Sequence, residues 1–158
     1  MRAQTTLVLG IGNNLLTDEG AGVHVIELLA RCHPDAAGVS FIDGGTLSFT
    51  LAEYLATHDR LIVVDAARIG AEPGGIDCFE GEAMDRYLSG NRESVHEVGL
   101  MDLLDICRLQ DHYPQRRALI GIQPLSIDWG EAPSEPVARA LPEAGRRVMA
   151  LIERWDRE

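Results

Sequence analysis

Two unbroken apolar runs, Leu7-Val8-Leu9 and Leu61 to Val64, with a strand-like segment Val39 to Ile42 between them, restrict the folds open to this chain; each is closed by a glycine or a carboxylate. A parallel strand buried on both faces reads as an unbroken apolar run, whereas a half-wet strand alternates. Between these runs the period changes. Val23, Ile26, Leu29 and Ala30 repeat at helical spacing within Gly20 to Cys32, and His33-Pro34 stops that helix. Leu47, Leu51, Tyr54 and Leu55 share a second helical face. Strands alternating with helices predict an α/β architecture of three layers, a largely parallel twisted sheet with helices on both faces.

The alternation continues to the end of the chain. Pro73-Gly74-Gly75 marks a turn, and Ile76-Asp77-Cys78-Phe79 reads as a strand with one wet face. Residues 80–96 read as polar loop around a short helix. A helix beginning near His96 carries Val98, Met101, Leu104 and Ile106 to Leu109, and Arg117 to Ile122 forms another strand. Leu125 to Asp128 alternates and predicts a short edge strand. Val137, Leu141, Val148, Leu151 and Trp155 predict a closing helix, with Pro142 as a kink or a fresh start. No repeat or linker interrupts the pattern. One domain over residues 1–158 is expected, long enough to bury roughly two thirds of its unfolded surface without disulfides.

Composition excludes several functions. The net charge of −11, from 25 acids against 14 bases, argues against a nucleic-acid partner, whose phosphates demand clustered basic groups. All the bases are arginine, so Schiff-base chemistry and a phosphate-loop lysine are unavailable. Cys32, Cys78 and Cys107 are odd in number and widely spaced, and read as buried free thiols. No stretch has the length of a signal peptide or a membrane span, so a soluble, cytoplasmic protein without a membrane partner is expected.

In open parallel sheets, ligands bind beyond the carboxyl ends of the strands. Glu19, Asp43 and Asp65 all arrive there. Like charges about 4 Å apart cost a few kcal/mol at an effective dielectric of ~20, so a shared proton or a cation is needed if they meet. His96, at a junction of loop and helix, would add a nitrogen donor suited to a borderline divalent ion. The competing local reading makes Asp18 and Glu19 helix-opening acids, Asp43 and Asp65 loop caps, and His96 a helix-start residue. Other motifs fail. No histidine follows His96-Glu97 at zincin spacing, no Gly-x-Ser-x-Gly turn exists, and Leu15 occupies the third-glycine position of a dinucleotide fingerprint.

Four segments together resemble one family. Gly10-Ile11-Gly12-Asn13-Asn14-Leu15-Leu16-Thr17-Asp18-Glu19-Gly20-Ala21-Gly22, Asp43-Gly44-Gly45-Thr46, Val64-Asp65-Ala66 and His96-Glu97-Val98-Gly99-Leu100 look like the nickel-iron hydrogenase maturation endopeptidases, in order along nearly the whole chain. The resemblance implies a phosphorylase/hydrolase-like fold and an endopeptidase that removes a carboxy-terminal extension from the nickel-loaded precursor of the hydrogenase large subunit. It also implies that Glu19, Asp65 and His96 recognise the metal, that the nickel is supplied by the precursor, and that Asp43 acts as general base or shapes the cleft. Several members carry glutamine after the motif histidine; here Glu97 adds a negative charge beside His96. A non-catalytic chaperone that senses nickel occupancy of the precursor is the rival reading. Peptidyl-tRNA hydrolase has a similar opening turn, but the acidic charge and the downstream motifs oppose it.

Overall fold

In the computed structural model, residues 2–45, 50–90 and 95–158 are described, with the backbone alone for 95–98. Thr46 and Leu47, and the side chain of His96, lie outside the described residues. Five strands form one sheet: β1 (Thr6–Ile11), β2 (Val39–Gly45), β3 (Arg60–Ala66), β4 (Ile76–Glu80) and β5 (Arg116–Ile122), in the order β2-β1-β3-β5-β4. All pairs are parallel except β4 against β5. The alternating strand at 76–80 is therefore the antiparallel edge its half-wet pattern predicts.

The pleat sorts the core into two halves. Val8, Ile62, Val64, Ala118, Ile120 and Ile122 face α1 (Ala21–Cys32) and the last helix. Their sequence neighbours Leu7, Leu9, Leu61, Val63 and Leu119 face the other side, where α2 (Leu51–Thr57), α3 (Glu82–Gly90) and α4 (Val95–Leu109) supply Leu55, Met84, Leu88, Leu100, Leu103 and Cys107. This is the period of two that, with both faces covered, makes the middles of β1, β3 and β5 apolar throughout.

The terminal helix, α5 (Glu135–Arg157), runs unbroken through Pro142. It spans roughly 34 Å at 1.5 Å per residue and covers the sheet with Val137, Ala144, Val148, Leu151 and Trp155. Its far end is tied down by Arg60, whose Nη1 donates to Asp156 Oδ1 at 2.6 Å.

The short helix expected in the polar stretch after residue 80 is present as α3, nine residues long and anchored by Met84 and Leu88. Three expectations need correction. Leu125 to Asp128 forms no strand; it is an irregular loop bonded to the turn after β1. Tyr54 is exposed, outside the apolar face formed by Leu51 and Leu55. Of the three thiols only Cys107 is buried; Cys32 is exposed and Cys78 half-buried. Burial first, and then the Glu80 carboxylate, push the Cys78 thiol up to about 11, which keeps it protonated and unreactive.

Candidate active site

The chain leaves β1, forms β2 on one side, and returns to place β3 on the other. Successive crossovers therefore depart in opposite directions from the gap between β1 and β3, the switch point where open α/β sheets bind their ligands. Glu19 and Asp65 flank that gap. Glu19 lies in a four-residue 3-10 turn, Thr17–Gly20, that follows β1 and packs against β3. Asp65 is the penultimate residue of β3 and is only 5% exposed.

Two glycines allow this close approach. Gly12 has φ +139°, and a Cβ there would sit 1.9 Å from the carbonyl oxygen of Glu19. A Cβ on Gly22, in the first turn of α1, would sit 2.1 Å from the carbonyl oxygen of Val64. Both contacts are with backbone, which cannot swing aside. The turn bearing Glu19 thus lies against the end of the strand bearing Asp65 because side chains are absent at these two positions.

His96 occupies the first turn of α4, and position 96 shares helical phase with the buried Leu100, Leu103 and Cys107. By pleat parity Asp65 projects to the same sheet face as Leu61 and Val63, the face that α4 covers. Among the described residues no three His, Cys, Asp or Glu side chains gather closely enough to hold a metal ion. Carboxylate oxygens such as those of Glu19 and Asp65 are a donor type that a borderline divalent ion accepts.

Asp43 stands apart. It pairs with Gly10, which pairs in turn with Val64, so about 10 Å of sheet separates its backbone from the end of β3. Parity sends it with Phe41 toward the α1 side, whereas Asp65 goes to the other. Its Oδ1 accepts from Gly45 N at 2.8 Å, the local Asx turn foreseen by the capping reading.

Asp18 has a role the sequence reading missed. Rather than opening α1, which begins at Ala21, it is fully buried and accepts four hydrogen bonds. Oδ2 takes Leu125 N at 2.8 Å, Ser126 N at 2.9 Å and Ser134 Oγ at 2.7 Å, while Oδ1 takes Ser134 N at 2.7 Å. Burial alone would raise its pKa; the bonds from Ser126, Ser134 and Leu125 outweigh that and hold it below the usual carboxylate range. Thr17 completes the lacing: its N donates to Gly130 O at 2.8 Å and its Oγ1 to Ser126 O at 2.6 Å. These bonds hold Thr17 at φ 45°, a strained value for a β-branched residue. Partners 107 to 116 residues away leave no mark in local spacing.

A three-layer α/β protein with carboxylates at its switch point is one class; comparison with known proteins gives the family. The model of the hydrogenase maturation proteases of the HycI type matches residues 23–151. The chain is 36% identical to the hydrogenase expression/formation protein HupD of Rhizobium leguminosarum bv. viciae, over 97% of its own length and 76% of the relative's. It is also 36% identical to the hydrogenase 2 maturation protease of Escherichia coli K12, over 92% and 89%. The structure of the hydrogenase maturating endopeptidase HybD from E. coli superposes with a TM-score of 0.86 at 30% identity, covering 95% of this chain and 93% of that one. The NiFe hydrogenase maturation protease HybD from Thermococcus kodakarensis gives 0.79 at 28% identity, covering 93% and 98%.

The chain belongs to the hydrogenase maturation protease family. It is a protease, a hydrolase that acts on peptide bonds.

Proposed function

We propose that this chain, working in the cytoplasm as one α/β peptidase domain over residues 1–158, removes the carboxy-terminal extension from the nickel-loaded precursor of a nickel-iron hydrogenase large subunit. In this reading nickel arrives with the precursor, and Glu19, Asp65 and His96 recognise it. The observation that carries the reading is the packing of the Glu19 turn against the end of β3, which brings two carboxylate-bearing segments together at the switch point.

Two carboxylates and one imidazole fill only part of a nickel coordination sphere, leaving positions for groups of the precursor. The three side chains bind and orient the loaded precursor, and an unloaded precursor offers them nothing to hold. Carboxylates at the rim favour a cationic centre and disfavour an empty one. Asp43, exposed at the neighbouring strand end, fits a role in shaping the cleft or as a general base on the substrate side.

The direct test is to mix purified chain with the large-subunit precursor, with and without nickel loaded, and to weigh the precursor by intact-mass spectrometry. Loss of a carboxy-terminal peptide from the loaded precursor alone is expected. Binding without loss of mass, or equal cleavage of the unloaded precursor, overturns the reading.

A further inference from the structure

Six large hydrophobic side chains are exposed among the described residues: Leu15, Tyr54, Leu109, Leu125, Ile127 and Trp129. Four of these, Leu15 (48% exposed), Leu125 (60%), Ile127 (55%) and Trp129 (81%), lie on two segments that hydrogen bonds lace together. Gly130 N donates to Leu15 O at 2.8 Å, and Leu16 and Gly130 form a parallel bridge. Asp18, immediately before Glu19, holds the amides of Leu125 and Ser126.

Leu125, Ile127 and Trp129 alternate along the chain, and Ser126 between them is bonded inward to Asp18 and Thr17. That period-two pattern predicts a strand with one buried face, yet this segment has no sheet neighbour and its apolar face is open. Burying a tryptophan removes some 150–250 Å² of apolar surface from water, so leaving one open on a rigidly pinned loop is costly unless a partner covers it.

We propose that Leu15, Leu125, Ile127 and Trp129 form the docking ledge for an apolar segment of the precursor polypeptide; this rests on the processing reading above. Two observations favour the precursor over a second copy of this chain. The ledge is continuous with the Glu19 turn, where an endopeptidase must seat its polypeptide substrate. It is flanked by the exposed carboxylates of Asp128 and Glu131, and two copies of −11 would repel each other there. An apolar segment with a basic or neutral border is the complementary chemistry.

The test compares the whole chain with Trp129→Ser and with an Ile127→Ser, Trp129→Ser pair, using nickel-loaded precursor. Leu109→Ser, which removes an equally exposed apolar group at the end of α4, is the control. Because the replaced side chains are exposed, melting temperatures are expected to match wild type. The affinity for precursor and KM are expected to weaken about tenfold or more in the Trp129 variants, as at an interface anchor, with the effect on KM rather than kcat. Unchanged affinity overturns the proposal, as does an equal loss in Leu109→Ser. A change of oligomeric state at unchanged affinity for precursor overturns it in favour of a self-contact. Wild type that binds the precursor without cleaving it, with binding lost in the Trp129 variants, sinks the processing reading and leaves the ledge. Failure of wild type to bind at all sinks both.

Discussion

Asp18 and Glu19 are adjacent carboxylates with opposite assignments. Asp18 is enclosed by donors and holds a loop; Glu19 is half-buried at the switch point and, in the proposed function, meets the substrate's metal. Replacing Asp18 by asparagine turns one acceptor oxygen into a donor facing N–H and O–H groups. A loss of roughly 2–4 kcal/mol is expected, seen as a fall in Tm of about 5–10 °C. Glu19→Gln is expected to leave Tm near wild type while cleavage of loaded precursor drops about 100-fold or more, the effect of removing a group that meets a metal-borne charge. Thermal scans and precursor cleavage on both variants separate the roles. A matching loss of stability in Glu19→Gln would count against its assignment.

At the scale of elements, most of the structure was legible and the failures share a cause. β1, β3 and β5 were readable because burial on both faces leaves a continuous apolar middle to each, and α1 because its apolar spacing and its stop are local. The 125–128 segment was misread because alternation reports one apolar face without saying whether protein covers it. Glu19 and Asp65 could be assigned to strand ends from sequence, but their proximity depends on how closely α1 approaches β3. That approach rests on Gly22. Gly22→Ala is expected to push α1 off the end of β3, costing about 2–3 kcal/mol by overpacking and reducing cleavage beyond what the fraction unfolded explains. Denaturant titration and activity at low temperature would measure both. An unperturbed variant would show that the helix has room to spare.

For the whole molecule, acid is the informative perturbant. Asp18 and Asp85 are both held below the usual carboxylate range in the folded state. In Asp18 the loop amides and Ser134 overcome the cost of burial, and in Asp85 the Arg117 guanidinium dominates, joined by Tyr113. A group whose pKa is depressed in the folded state stabilises fully above its unfolded value and loses that contribution as pH falls through the folded one. Stability is therefore expected to hold down to about pH 5 and then to decline below about pH 4. In Asp18→Asn the baseline is lower but the acid decline shallower, as Tm measured between pH 7 and 3 would show. The two carboxylates stand at opposite rims of the sheet, since Arg117 opens β5 while Asp18 follows the end of β1. The acid transition therefore loosens both ends of the fold together.

The two tryptophans divide the molecule optically. Trp129 is 81% exposed on the loop beside the Glu19 turn, while Trp155 is 3% exposed, its indole N–H donating to Glu80 Oε1 at 3.3 Å where α5 meets β4. One indole emits from water and the other from a packed interior, so a collisional quencher reaches only the first while the fold is intact. Intrinsic emission thus carries two separable signals, one belonging to the surface beside the candidate site and the other to closure of the terminal helix over the sheet.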